Sequence, residues 1–211
     1  MTQDHKSVIL LPSNTKIRQK MITIRKNVFE TNSSSEHTLS LSPVEDVRSL
    51  NEESDLTIDH LRRNIKNGEY IIQPDRIYNL DFGLFTSFAD KFTFVFVLML
   101  LSKKCGDRLM TPRMWENDQF TISKANRIFN QTHKAFVKKL CAWMTDLSGK
   151  ECHAIKIGTW SDVFEKNVKR CAFNINHQAM YAANEEKDYG LKIDPFIAIT
   201  TFGMNIVYEF C

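Results

Sequence analysis

Hydrophobic and polar side chains alternate in two short arms near the N-terminus. Residues 21–26 and 37–41 each place apolar side chains at every second position. A period of two predicts β-strands. Residues 30–37, between the arms, contain no apolar side chain. We expect the arms to be neighbouring strands linked by this polar block, and an antiparallel pair is one arrangement that the link allows.

The next segment predicts two short helices. Ser42-Pro43 suits the start of the first, because serine caps helices and proline fits the first turn. Glu45 and Asp46 would then face the positive end of the helix dipole. The second is predicted over Ile58–Lys66, with Thr57 as its cap and Gly68 as its stop.

Two longer helices are predicted from apolar content and spacing. Residues 92–101, interrupted only by Thr93, form the most apolar stretch, and their length is about half of a membrane span, so we predict a buried helix over about 87–103. Residues 124–147 carry apolar side chains at three- and four-residue steps, with Ser123 as cap and Gly149 as stop. Residues 80–85 predict a loop with a glycine hinge.

The remaining pattern completes an α+β interpretation. A further short helix is predicted over 161–170, and strands are predicted over 69–73 (ended by Pro74), 152–157, 171–177, 196–201 and 204–210. We therefore predict an α+β fold, with a mostly antiparallel sheet packed against two or three helices. Residues 1–20 read as an N-terminal extension, and 21–211 as a single domain.

Composition narrows the class of protein. The chain has 211 residues, of which 43% are hydrophobic and 11% aromatic, enough for one substantial core. The net charge of +3 neither requires nor excludes a nucleic-acid partner. The basic residues at 16–26 and the acidic residues at 45–55 are interpreted as solvated faces in preference to a phosphate track.

The five cysteines suggest reduced thiols in the cytoplasm, because their number is odd and their spacing matches no disulfide framework. Cys141, Cys152, His153 and Cys171 lack the spacing of a zinc knuckle, so no metal is expected. No cofactor motif, signal peptide or membrane span is recognised, so the expected location is the cytoplasm.

The polar block at 30–37 is the candidate site. Ser33, Ser34 and Ser35 offer three adjacent hydroxyls, and successive backbone N–H groups in a tight turn form an anion-sized nest. Arg25, on the preceding arm, could supply a bidentate fork to phosphate or carboxylate.

Two other groups of the block could move protons. Glu30 and His37 could act as base and acid, or could orient other groups. The alternative is a turn in which Asn32 and the serines hydrogen-bond their own backbone. We favour a site, since stability alone does not require so many polar groups in one connection.

The stretch Arg25–His37 resembles the N-terminal signature R-x-x-V-F-E-T-N-S-S-S-x-H of an uncharacterised bacteriophage and bacterial family. Members of that family begin near the motif, which favours Met21 as the domain start. The resemblance implies a phage or mobile-element origin and no known reaction. Two weaker matches add Asp81 and His177 to the candidate site, through Asp81-Phe82-Gly83-Leu84 and Asn176-His177-Gln178. In them Asp81 replaces a glutamate, Leu84 an aromatic residue and Asn176 an aspartate.

Three functions follow as hypotheses. The first is an accessory protein, made in the cytoplasm of the infected bacterium, that binds and inhibits or redirects a host defence factor. The second is an enzyme or sensor for a phosphorylated small molecule, such as a nucleotide or ADP-ribose derivative, held by the polar block. The third is direct nucleic-acid binding through residues 16–26. No catalytic motif decides whether the chain is an enzyme.

Overall fold

A computed structural model of the chain describes residues 24–25, 37–43, 47–78, 80, 83–109, 119–159, 172–175 and 194–210. These ranges contain seven helices and nine strands. The helices are α1 (Val47–Asn64), α2 (Pro74–Tyr78), α3 (Phe88–Leu101), α4 (Lys103–Leu109), α5 (Ile122–Thr132), α6 (Lys134–Ser148) and α7 (Pro195–Thr200). The strands are β1 (Ile24–Arg25), β2 (His37–Pro43), β3 (Ile65–Lys66), β4 (Glu69–Ile72), β5 (Gly83–Phe85), β6 (Gln119–Thr121), β7 (Ala154–Ile157), β8 (Ala172–Asn174) and β9 (Met204–Phe210). The α+β class is confirmed.

The largest described sheet contains the two N-terminal arms and the last described strand, β9. Its strand order is β1-β2-β9-β5, and every pairing is antiparallel. Ile24 pairs with Leu39 and Arg25 with Thr38, so the two arms are neighbouring antiparallel strands. β2 continues to Pro43, opposite Met204, where a short helix was predicted to begin. β5 lies within the predicted loop at 80–85 and pairs with β9.

The second sheet has the order β3-β4-β7, with an antiparallel and a parallel pair. Asn67 (φ 52°) and Gly68 (φ 76°) connect β3 to β4 in left-handed backbone. An Asn-Gly pair favours a two-residue hairpin turn, because both positions require positive φ. The prediction that Gly68 ends a helix is therefore wrong: Gly68 turns a hairpin.

One helix replaces the two predicted between residues 42 and 66. α1 runs without a break from Val47 to Asn64. Thr57, predicted to cap the second helix, is buried in its middle, and Leu61 is fully buried one turn later. Glu53, predicted to belong to a solvated acidic face, forms an ion pair with Lys91 of α3. Tertiary contacts on both sides of Thr57 therefore favour a continuous helix.

α3 is the centre of the core. Ser87 caps it by accepting a hydrogen bond from the Asp90 N–H at 3.2 Å. Thirteen of its residues are buried, on every side of the helix. This confirms the predicted buried helix. Within the ranges that the structure describes, no helix has the length and hydropathy of a membrane span.

The helix predicted over 124–147 is two helices, because His133 (φ −110°, ψ 33°) interrupts it. The His133 Nε2 atom lies 3.2 Å from the Met99 carbonyl oxygen near the end of α3. The first helix begins after Thr121 and not at Ser123. Gly149, in left-handed backbone, follows the second helix as predicted.

A helix also replaces the strand predicted over 196–201. Asp194 accepts hydrogen bonds from the N–H groups of Phe196 and Ile197, and Pro195 occupies the first turn of α7. β6 and β8 form a separate antiparallel pair. Predictions for 1–20, 161–170 and 176–177 fall outside the described residues.

Candidate functional site: a cleft beside His60

The most promising ligand site in the described chain lies along α1, where that helix faces α2 and the start of α3. Two cavities meet there, of about 480 and 370 Å³. His60, Arg63 and Arg76 line both. We call the larger cavity the outer lobe and the smaller one the cationic lobe. Each volume lies within the range of small-molecule sites, roughly 300–1,000 Å³.

His60 is held in place by aromatic neighbours and hydrogen bonds. Its Nε2 atom lies 2.9 Å from the Tyr70 hydroxyl, and its ring centroid lies 6.0 Å from that of Phe88. The Asn64 side-chain amide donates to the His60 carbonyl at 2.8 Å. His60 and Asn64 are one helical turn apart, so α1 itself positions both.

The pKa of His60 is lowered from 6.5 to about 4. Burial of the ring is the largest cause, the positive charges of Arg76 and Arg63 add to it, and the negative charge of Asp90 opposes it. Burial also raises the pKa of Tyr70 above its usual range, so the phenol stays protonated. At neutral pH the pair is therefore an uncharged imidazole beside an uncharged hydroxyl. Such a pair can donate or accept a hydrogen bond but carries no charge of its own.

Arg63 and Arg76 supply positive charge on the two elements that form the cleft. The Arg63 Nε donates to the Asp59 carbonyl at 3.2 Å, and its terminal nitrogens bind no residue that the structure describes. The Arg76 Nη1 donates to the Asp90 carboxylate at 2.8 Å, in a pair whose side chains are 39% and 49% exposed. Each guanidinium group therefore has N–H donors that no described residue accepts, and these are the donors offered to a ligand.

The two lobes differ in charge. The other described residues of the cationic lobe are Asn64, Lys66, Ile71 and Gln73, and no carboxylate is among them. The outer lobe includes Glu52, Glu53 and Leu56. The Glu53 Oε1 atom accepts from Lys91 at 2.7 Å, and its Oε2 atom accepts from the Gly203 N–H at 2.7 Å. Glu52 is exposed, and Leu56 has 60% relative exposure.

The structure describes two of the site residues predicted from sequence. Arg25 is opposite Thr38, next to His37, so the backbones of Arg25 and His37 are brought close together. His37 lies five strand positions from Ser42, whose partner Asn205 lines the outer lobe. At about 3.3 Å per residue, the His37 backbone is roughly 17 Å along the strand from that point. Glu30, Asn32, Ser33, Ser34, Ser35, Asp81 and His177 lie outside the described residues, so their role stays a prediction.

Sequence reasoning missed the residues of this cleft. The available signal was His60 with Arg63, three positions apart on a predicted helix and therefore on one face. Arg76 comes thirteen residues later, in α2, and nothing in the local pattern links it to His60.

The cysteine side chains that the structure describes are buried in the core. Cys105, Cys141 and Cys152 are buried and unoxidised. Cys141 and Cys152 share a hydrogen bond, which raises the pKa of Cys141 and lowers that of Cys152. Across the described ranges, no group of three or more His, Cys, Asp or Glu side chains is arranged to hold a metal ion.

Comparison of the chain with protein-family models, curated proteins and solved structures finds no match.

Proposed function

We propose that this protein binds a phosphorylated small molecule, whose phosphate lies in the cationic lobe between Arg63 and Arg76. The observation that carries the proposal is that two guanidinium groups and an uncharged histidine line the same cavity. A guanidinium fork matches the oxygens of a phosphate group in geometry and charge. Lys66, Asn64 and Gln73 add donors in the same lobe.

The state of His60 favours recognition over proton transfer. An effective general base has a pKa near the working pH. The pKa of His60, about 4, is well below neutrality. An uncharged imidazole can still hydrogen-bond a ligand oxygen, so we propose a binding or sensing role for the cleft.

Titration calorimetry of the full chain with pyrophosphate and ribose 5-phosphate tests this proposal. We expect saturable binding that Arg63→Gln weakens by about tenfold, since a charge-assisted hydrogen bond contributes roughly 1.5 kcal/mol or more. Arg127→Gln is the matched control, because Arg127 is an exposed arginine of α5 that lines neither lobe. Absence of saturable binding, or an equal loss in both variants, would contradict the proposal.

A second candidate is the binding of a host protein by a phage-encoded factor in the cytoplasm of the infected bacterium. The phage origin rests on the motif at Arg25–His37. One observation supports a protein contact: Leu84, on β5, has 60% relative exposure. In the described sheet β5 is a terminal strand, and a terminal strand can accept a peptide as a further strand.

Affinity purification from infected cells distinguishes the two functions. A stoichiometric host protein that is lost in Leu84→Asp and retained in Arg63→Gln would favour the second candidate. Retention of that protein in both variants would exclude β5 as its contact. Direct nucleic-acid binding through residues 16–26 is a weaker proposal, and it predicts affinity that falls steeply as salt rises.

A further inference from the structure

Among the described residues, carboxylates line only one of the two lobes, and this limits what can fill the cleft. Arg63 and Arg76 line both lobes, Lys66 lines the cationic lobe, and Glu52 and Glu53 line the outer lobe alone. An inorganic phosphate or a short sugar phosphate would occupy the cationic lobe and leave the outer lobe unfilled. A ligand that uses both lobes needs an anionic end and an end that donates hydrogen bonds.

We infer that the ligand is a nucleoside phosphate whose base lies in the outer lobe against Leu56, with its N–H donors directed at the Glu52 carboxylate. This inference rests on the proposed function, because the cationic lobe must first hold the phosphate. It adds the position of the base and hence the class of ligand.

Leu56 and Glu52 are exposed residues of the outer lobe. Leu56 exposes 60% of its surface at the edge of the cavity. A planar base can cover such a side chain and remove apolar area from water. The Glu52 carboxylate is exposed and accepts hydrogen bonds only, so it suits the exocyclic amine of a base.

Glu53 and Ser87 of the outer lobe are already engaged, and the carboxylates that they contact or carry disfavour an anion there. Glu53 is bound to Lys91 and to the Gly203 N–H. The first turn of α3 is capped by Ser87, whose hydroxyl also donates to the Asp90 carboxylate at 2.6 Å. With a carboxylate at this helix start, a phosphate is better placed in the cationic lobe.

Calorimetry with adenosine 5′-monophosphate, ribose 5-phosphate and adenosine tests the inference on the full chain. We expect adenosine 5′-monophosphate to bind at least about tenfold more tightly than ribose 5-phosphate. Leu56→Ser should weaken the nucleotide about fivefold and leave ribose 5-phosphate unchanged. Ile197→Ser is the matched control, because Ile197 is also a large apolar residue, 52% exposed, and lines neither lobe.

The outcomes separate this inference from the proposed function. Equal affinity for the nucleotide and ribose 5-phosphate, or equal weakening of both by Leu56→Ser, overturns the base position while phosphate binding stands. Adenosine bound as tightly as the nucleotide, with no effect of Arg63→Gln, overturns both. Absence of binding by all three compounds also overturns both.

Discussion

Lys91 is a charged side chain with 1% relative exposure inside the central helix. Its ammonium group donates to Glu53 Oε1 at 2.7 Å, to the Met204 carbonyl at 2.9 Å and to the Thr201 carbonyl at 3.3 Å. An ammonium group has three N–H donors, so each one finds an acceptor. Glu53 has 16% side-chain exposure and a second partner at the Gly203 N–H. The pair therefore joins α1, α3 and the turn before β9.

Removal of one partner of this pair should destabilise the fold strongly. We expect Lys91→Met to reduce the free energy of unfolding by about 3–5 kcal/mol, because the Glu53 charge remains in place without its counter-ion. Lys138→Met, at an exposed position of α6, is the control and should change it by less than about 0.5 kcal/mol. Urea unfolding followed by circular dichroism measures both. A similar, small loss in the two variants would show that the pair contributes little.

His60 predicts a specific loss of stability in acid. Its pKa is about 4 in the folded chain, against 6.5 for an ordinary histidine. Between these values the unfolded chain binds a proton that the folded chain excludes, so stability falls as pH decreases from 6.5 towards 4. The full loss from this group is roughly 3 kcal/mol, and His60 contributes no pH dependence above pH 6.5 or so.

Unfolding free energies measured between pH 7.5 and 4.5 check this prediction. His60→Gln should show a shallower decline, since glutamine does not titrate and can still hydrogen-bond Tyr70. The pKa of His133 is also lowered, mainly by burial, so part of the decline should persist. Arg63, Arg76 and Asp90 are the charged groups that act on His60. Identical pH profiles for the two proteins would contradict the lowered pKa.

At the scale of elements, sequence patterns located strands better than helix ends. The two N-terminal arms, residues 69–73 and the final strand were predicted where the structure has strands. Alternation is a local signal, and these segments are long enough to carry it. The break at His133 was not predictable from spacing, because apolar side chains recur on both sides of it and the hydrogen bond to Met99 is a tertiary contact.

One missed helix did have a sequence signal. Asp194-Pro195 combines a capping residue with proline in the first turn, which is a typical helix start. The apolar and β-branched residues that follow favoured a strand instead. The single helix at 47–64 had no such signal, since the ion pair of Glu53 and the burial of Thr57 and Leu61 are tertiary contacts.

The hairpin of β3 and β4 predicts unequal effects at two glycines. Gly68 and Gly149 both have left-handed backbone, but a Cβ at Gly68 would overlap the His153 imidazole, whereas a Cβ at Gly149 meets no atom within 4 Å. We expect Gly149→Ala to cost about 1 kcal/mol of stability from its backbone alone. Gly68→Ala should cost roughly 2–3 kcal/mol.

Thermal unfolding of these variants, with His153→Ala added to Gly68→Ala, separates the two causes. The second substitution should recover the difference between the glycine variants by removing the overlap. If Gly68→Ala and Gly149→Ala are equally stable, His153 moves aside at no cost and the predicted overlap is wrong.

For the molecule as a whole, α3 connects the parts of the fold. It packs against α1, α2, α4, α5, α7 and β5. The α+β class was predictable because it depends only on the kinds of elements present. The cleft was not, because its residues come from α1, α2 and the start of α3, which only the packed fold brings together.

The central position of α3 predicts its hydrogen-exchange behaviour. Amides of Phe92–Leu100 should exchange only through global unfolding, since no part of the helix can open without exposing buried apolar area. Mass spectrometry should find them the slowest of the described helices. In the Lys91→Met variant the exchange rates of these amides should rise by the same factor as the equilibrium constant for global unfolding. Rates unaffected by that substitution would indicate local opening instead.

Glu53 belongs both to the wall of the cleft and to the ion pair that fixes α3. A substitution there that adjusts the choice of ligand also weakens the fold, so evolution cannot alter one property alone at this position. Glu52 and Leu56 line the same lobe and are not part of the ion pair with Lys91. New ligand preferences should therefore arise first at those two exposed positions, while Glu53 persists unchanged.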